Sequence, residues 1–268
     1  MKSILFIIVA SYAGLCLLLY FKQGSLIFPA PQTAGKPQAP TGWVVETLQF
    51  KSHDQLALTA WLVRPSTGMA PLLIYFGGNA EEVSWTALNA DRAGAHALLL
   101  VNYRGYGGHP GDVSEAGLVA DALSVFDQAK ALTNIRNDRI SIHGRSLGSA
   151  VAVAVAAARP VDKVILTTPF DSLRAIAGNA YPYLPTSWLL QHPFDSVMRA
   201  PQVKAPVLVL VADRDQIMRP NQHEALAKAW GGPVQIKRFA TADHNDIPET
   251  AGYWDTIAAF LKSSSPAP

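Results

Sequence analysis

The sequence predicts an α/β domain: a mostly parallel central sheet with helices on both faces, opened by an antiparallel hairpin and crossed by a short lid. Three observations predict it. From Pro71 onward, short apolar runs alternate with helical segments, as in βαβ units. One apolar run, Ile140 to Ile142, ends in Gly144-Arg145-Ser146-Leu147-Gly148 and leads into an alanine-rich stretch, Ala150 to Ala158. At 268 residues the chain has the length of one large domain of this class.

Before the domain comes an uncharged run of 18 residues, Ile4 to Phe21, flanked by Lys2 and Lys22. As a helix it would be about 27 Å long, close to the hydrocarbon thickness of a bilayer. A cleaved signal peptide is the competing reading. Its apolar region would be shorter and would end at small residues, whereas this run ends Leu17-Leu18-Leu19-Tyr20-Phe21. Leu15 stands before Cys16, the only cysteine, where a lipoprotein signal wants Gly or Ala. Residues 1–24 are therefore expected to be a retained membrane anchor. Residues 25–42, rich in Pro, Gly, Gln and Ala, follow as a linker.

The domain proper is expected over residues 43–262. Trp43 to Phe50 and Leu56 to Val63 alternate apolar and polar positions around Ser52-His53-Asp54-Gln55, the pattern of a hairpin. Strands are expected at 72–76, 95–101, 140–142, 163–167, 207–211 and 234–239, and helices at 81–93, 114–132, 150–158, 222–230 and 248–261. Between 170 and 205 the alternation breaks. Pro182, Pro185, Pro193 and Pro201 forbid a continuous helix there. The segment reads as a lid, with Tyr181, Tyr183, Trp188 and Leu189 as candidates for a substrate pocket. Residues 263–268 read as a disordered tail.

Strand, Gly-x-Ser-x-Gly, helix is the nucleophile-elbow pattern. A serine at the apex of so sharp a turn needs glycine, or something nearly as small, two positions to either side. An alcohol cannot attack an ester at neutral pH unless a base takes its proton, and that base needs a carboxylate to fix its tautomer. Two loops at strand ends follow Ser146 in the required order: Ala212-Asp213-Arg214-Asp215, then Ala240-Thr241-Ala242-Asp243-His244. His244 is the base by position, with His109 as runner-up. Asp215 is favoured as the acid over Asp213, because it lies further out on its loop; Asp171 is a third candidate. The oxyanion site needs backbone N–H groups. Leu147 supplies one, and Gly77-Gly78-Asn79 the other, through Asn79 or Gly78.

Taken with Tyr75-Phe-Gly-Gly-Asn-Ala80, Asn102-Tyr-Arg-Gly-Tyr-Gly107, Thr168-Pro-Phe-Asp-Ser172 and Asp243-His-Asn-Asp246, these motifs resemble the α/β-hydrolase superfamily. The likeness is to its small, single-pass membrane-anchored branch, which has bacterial and eukaryotic members, and it spans about residues 25 to 262. The resemblance implies an α/β-hydrolase fold, Ser146, Asp215 and His244 as a catalytic triad, carboxylic-ester or thioester substrates, and no cofactor. The chain departs from the pattern at Gly77, where His is usual, and at Ala212, where Gly is common.

The expected activity is cleavage of esters or thioesters of apolar acyl groups, on a small molecule or a lipid, through an acyl-enzyme. A serine peptidase of the same fold and a non-catalytic binding protein are the alternatives. No Gly-x-Gly-x-x-Gly follows the first strand, no Walker-type loop is present, and no His/Cys/Asp/Glu group has metal-ligand spacing. The 22 basic and 20 acidic residues leave a formal charge of +2, which offers nothing to a nucleic acid. The expected location is a single-pass attachment to a bacterial inner membrane, with the domain facing the periplasm.

Overall fold

Strand order fixes the place of everything that follows. The computed structural model describes residues 2–218 and 220–263. Among the described residues one sheet of eight strands runs β1-β2-β4-β3-β5-β6-β7-β8. The strands are β1 (Trp43–Lys51), β2 (Ala57–Pro65), β3 (Pro71–Phe76), β4 (Ala97–Val101), β5 (Arg136–Arg145), β6 (Val164–Thr167), β7 (Val207–Ala212) and β8 (Val234–Phe239). β1 with β2 and β2 with β4 pair antiparallel, and the remaining neighbours pair parallel.

The chain first steps from β3 outward to β4, then returns to the other side of β3 with β5. That reversal leaves a crevice beyond the carboxyl ends of β3 and β5, where open α/β sheets bind ligands. Phe76 and Gly144 are register partners, so the loop after β3 and the turn after β5 leave the sheet side by side.

The helices are α1 (Lys2–Ile27), α2 (Glu115–Ala129), α3 (Leu147–Ala158), α4 (Leu173–Ala180), α5 (Thr186–Leu189), α6 (Ser196–Arg199), α7 (Pro220–Ala229) and α8 (Tyr253–Lys262). Period-two alternation divides the strands between two cores. Leu72, Ile74, Ile142, Leu166 and Val209 face α2 and α3, while Leu73, Leu100, Ile165 and Leu210 face α8. All of α3 from Leu147 to Ala156 is buried, which is why that helix is built of alanine, valine and other small residues. Ser114 caps α2 through Gly117 N–H at 3.1 Å, and Ser172 caps α4 through Ala175 N–H at 3.1 Å.

Three segments differ from the sequence expectation. The helix expected at 81–93 is a 3₁₀ coil, Val83–Arg92, because six of its ten residues (Val, Ser, Trp, Thr, Asn and Asp) have low α propensity. The last expected helix breaks in two: a 3₁₀ turn spans Ile247–Glu249, and α8 begins only after Gly252 at φ +81°. The N-terminal helix runs on to Ile27 rather than stopping near residue 24, and Phe28 is buried in the core. Of the tail expected at 263–268, residues 264–268 lie outside the described residues.

α1 is apolar all round, and none of its most apolar 18-residue window is buried. A soluble surface helix shows one polar face; this one has none, and by length and composition it is able to cross a membrane.

Candidate active site

Ser146 stands between β5 and α3 with φ +50° and ψ −117°, a conformation a non-glycine residue rarely adopts. Such strain costs about 1–3 kcal/mol and persists only where the surroundings enforce it. Here the enforcement is visible. Ser146 N–H donates to Thr167 O at 2.9 Å, and the Ser149 hydroxyl donates to Ser146 O at 2.6 Å. The flanking glycines are steric requirements. A Cβ on Gly144 would lie 2.3 Å from Gly148 O, and one on Gly148 would lie 2.1 Å from Phe76 O.

His244 reaches the serine from the loop after β8. Its Nε2 lies 2.9 Å from Ser146 Oγ, and its Nδ1 lies 2.7 Å from Asp215 Oδ2. The other oxygen of Asp215 accepts N–H bonds from Ile217 at 2.8 Å and Met218 at 2.7 Å. Burial would raise the Asp215 pKa, but the His244 hydrogen bond and those two amides outweigh it and hold the carboxyl below its ordinary range. The rival acids are placed elsewhere. Asp213 pairs with Arg238 at 2.6 Å, and Asp171 accepts Ser172 N–H at 2.6 Å. His109, the rival base, accepts Thr59 N–H on Nε2 at 3.0 Å, and its Nδ1 lies 3.0 Å from Asn102 O.

The loop after β3 is held by one carboxylate. Glu81 accepts from Gly78 N–H at 2.5 Å, Tyr75 Oη at 2.7 Å, Trp85 Nε1 at 3.1 Å and Arg145 at 3.0 Å. Gly78 N–H is thereby spent, which corrects the expectation that it is an alternative oxyanion donor and leaves Asn79 on this loop beside Leu147. The Asn79 side chain is itself fixed by Tyr106 Oη at 3.1 Å. The missing His at Gly77 also has a physical reason: a Cβ there would meet Val83 Cγ1 at 2.7 Å, so Val83 fills the space a side chain would need. Sequence reasoning missed Glu81. Its only signal was a charged residue two positions after Asn79, at the start of a segment read as helix.

Ser146, Leu147, Gly78, Asn79 and His244 line one cleft of about 390 Å³ whose other walls are largely apolar. Of the lid candidates, Tyr181 and Leu189 line a neighbouring cleft. Tyr183 and Trp188 do not. They are 89% and 86% exposed, because the prolines restrict the lid to short helices that cannot turn every aromatic inward.

His53, Asp54 and Asp121 bring three potential metal-binding atoms together. The Arg104 guanidinium already sits among them, 2.7 Å from Asp121 and 2.8 Å from Asp54. That cluster is an ion-pair network with its cation supplied by the chain.

Comparison with known proteins agrees with this architecture. Residues 112–253 match the model of the dienelactone hydrolase family. An uncharacterised protein of Mycobacterium tuberculosis is 33% identical over 265 residues, covering 94% of this chain and 92% of that one. An uncharacterised membrane protein of Saccharomyces cerevisiae is 29% identical over 256 residues, covering 91% and 90%. Among solved structures, an acetyl xylan esterase from Paenibacillus sp. R4 superposes with a TM-score of 0.72 at 16% identity, over 91% of this chain and 93% of that one. With its family match over more than half its length and the sheet order that goes with it, the chain belongs to the dienelactone hydrolase family and is a hydrolase of the α/β-hydrolase fold.

Proposed function

We propose that the protein is a membrane-tethered serine hydrolase that cleaves carboxylic esters or thioesters of apolar acyl groups. The observation that carries this reading is the continuous line Asp215–His244–Ser146, with contacts of 2.7 and 2.9 Å, ending on a serine held in a strained turn.

With its proton on Nδ1 and directed at Asp215, His244 presents Nε2 to the Ser146 hydroxyl. As Oγ attacks the acyl carbon, the hydroxyl proton passes to Nε2, and Asp215 stabilises the imidazolium. The oxygen of the tetrahedral intermediate takes hydrogen bonds from the Leu147 and Asn79 amides, each worth about 10²–10³ in rate. The bond from acyl carbon to leaving oxygen or sulfur then breaks, His244 returns its proton to the leaving group, and an acyl-Ser146 ester remains. Water, deprotonated by the same imidazole, hydrolyses that ester. No step requires a cofactor.

The largely apolar cleft walls favour an apolar acyl group, and α1 keeps the domain beside a bilayer. The test is labelling by a fluorophosphonate: wild type reacts covalently and Ser146→Ala does not. Labelling that persists in Ser146→Ala refutes the assignment.

A further inference from the structure

A second cleft, of about 400 Å³, adjoins the one that holds Ser146. Leu26, Ile27, Leu173 and Ile176 line both, so the two spaces meet along one apolar wall made by the end of α1 and the start of α4. From that wall the second cleft continues between α1 and the lid past Ala177, and it reaches Leu19. Leu19 belongs to the apolar run Ile4–Phe21. An apolar path therefore runs from the nucleophile to the membrane segment itself.

The path offers little to a polar ligand. Gln23, at its centre, has its amide committed: Nε2 donates to Leu189 O and Tyr20 O, each at 2.9 Å, and Oε1 accepts Gln191 N–H at 2.8 Å. A peptide would leave its own N–H and C=O groups without partners there. A hydrocarbon chain would leave none.

The lid also packs against the apolar run of α1. Tyr12 Oη donates to Tyr183 O at 2.7 Å. Tyr12 is inside the apolar run, nine residues before its end at Phe21, or about 13 Å along the helix. The lid tip thus rides beside the membrane segment and exposes Tyr183 and Trp188 outward.

We infer that the second cleft is an acyl-chain subsite. It takes one long hydrocarbon chain of an ester lying in the same bilayer and draws it from the membrane, between α1 and the lid, to Ser146. This rests on the serine-hydrolase reading above and adds the substrate class and its route.

The test uses the full-length protein in phosphatidylcholine vesicles, with nitrophenyl acetate and nitrophenyl decanoate as probes. Ala177→Trp obstructs the second cleft on a lid helix, and Leu184→Asp places a carboxylate in it. Both variants lower the decanoate-to-acetate ratio of kcat/KM at least tenfold, and the decanoate rate follows the mole fraction of ester in the bilayer. A ratio unchanged in both variants overturns the subsite. A rate that follows only bulk ester concentration, at constant mole fraction, overturns the membrane route. If Ser146→Ala still turns over acetate, or wild type turns over neither ester, the serine-hydrolase reading has failed and takes the subsite with it.

Discussion

The Arg145 guanidinium lies 3.0 Å from Glu81 Oε2, joining the residue before Ser146 to the segment after β3. Both side chains are nearly buried, at 12% and 5% exposure. Burial opposes the charge on Arg145, and the Glu81 carboxylate together with Tyr75 and Tyr253 more than offsets that. Arg145 also reaches the backbone oxygens of His244 and Asn245, each at 3.4 Å. One ion pair therefore braces the loop after β3, the turn at Ser146 and the His244 loop against one another.

Removing one partner of a buried pair costs about 3–5 kcal/mol, because the other charge is left alone. Glu81→Ala is expected to lower stability on that scale in urea denaturation. Its kcat falls about 10²-fold as the Asn79 amide loses its position. Glu81→Ala combined with Arg145→Leu regains much of the stability but not the rate. A double variant as unstable as Glu81→Ala alone contradicts the pairing.

Replacing Asp215 by Asn removes the acceptor that sets the His244 tautomer. The expected loss in kcat is about 10⁴-fold. In the proposed triad, combining Asp215→Asn with Ser146→Ala is expected to add little to Ser146→Ala alone, as residues of one catalytic unit do. Additive losses in ester hydrolysis rule that out.

Gly148→Ala and Gly144→Ala each press a methyl group into main-chain atoms that cannot move aside. Each is expected to destabilise the protein by about 3 kcal/mol or more, at the upper end for overpacking. A thermal midpoint near that of wild type for either variant contradicts the steric account.

His143 is wholly buried, 2.9 Å from Thr167 Oγ1. Burial, aided by the positive Arg145, pushes its pKa down to about 3. An unfolded imidazole titrates near 6.5. As pH falls through 6.5 the unfolded chain takes up a proton that the folded protein refuses, so stability drops with pH down to about 3 and levels off below. Burial lowers His96, His109, His192 and His223 in the same direction. Urea midpoints measured between pH 6 and 5, above the carboxylate range, are expected to fall steeply. His143→Gln makes that fall shallower, and an equal slope in the variant contradicts the assignment.

Much of this was legible in the sequence, and the reasons are local. The Gly-x-Ser-x-Gly turn is dictated by contacts of a few ångströms around Gly144 and Gly148, so the motif carries its own geometry. That Asp215 and His244 come together with Ser146 was readable because each follows a parallel strand, and parallel strands deliver their loops to one edge. Glu81 was not readable: its four donors come from β3, the loop after it, the 3₁₀ coil and the elbow, which only the folded chain brings together. Tyr183 and Trp188 were misread for the opposite reason. Aromatic composition suggested a pocket, and composition does not say which way a short helix turns.

The exposed Trp188 provides an optical check. In vesicles containing brominated lipid, wild type is expected to show quenched tryptophan emission, and Trp188→Phe less quenching. Equal quenching in both proteins contradicts a lid that lies against lipid.

Leu26 and Ile27 belong to the same helix as the apolar run, yet they form part of the wall beside Ser146. Cutting the chain after residue 27 to obtain a water-soluble protein would remove side chains from the cleft along with the apolar run. It would also free the lid from the Gln23 contacts that hold it. A shortened protein with poor activity or altered chain-length preference would then report on its missing wall, not on its natural substrate. Assays of specificity therefore call for the intact helix in detergent or lipid.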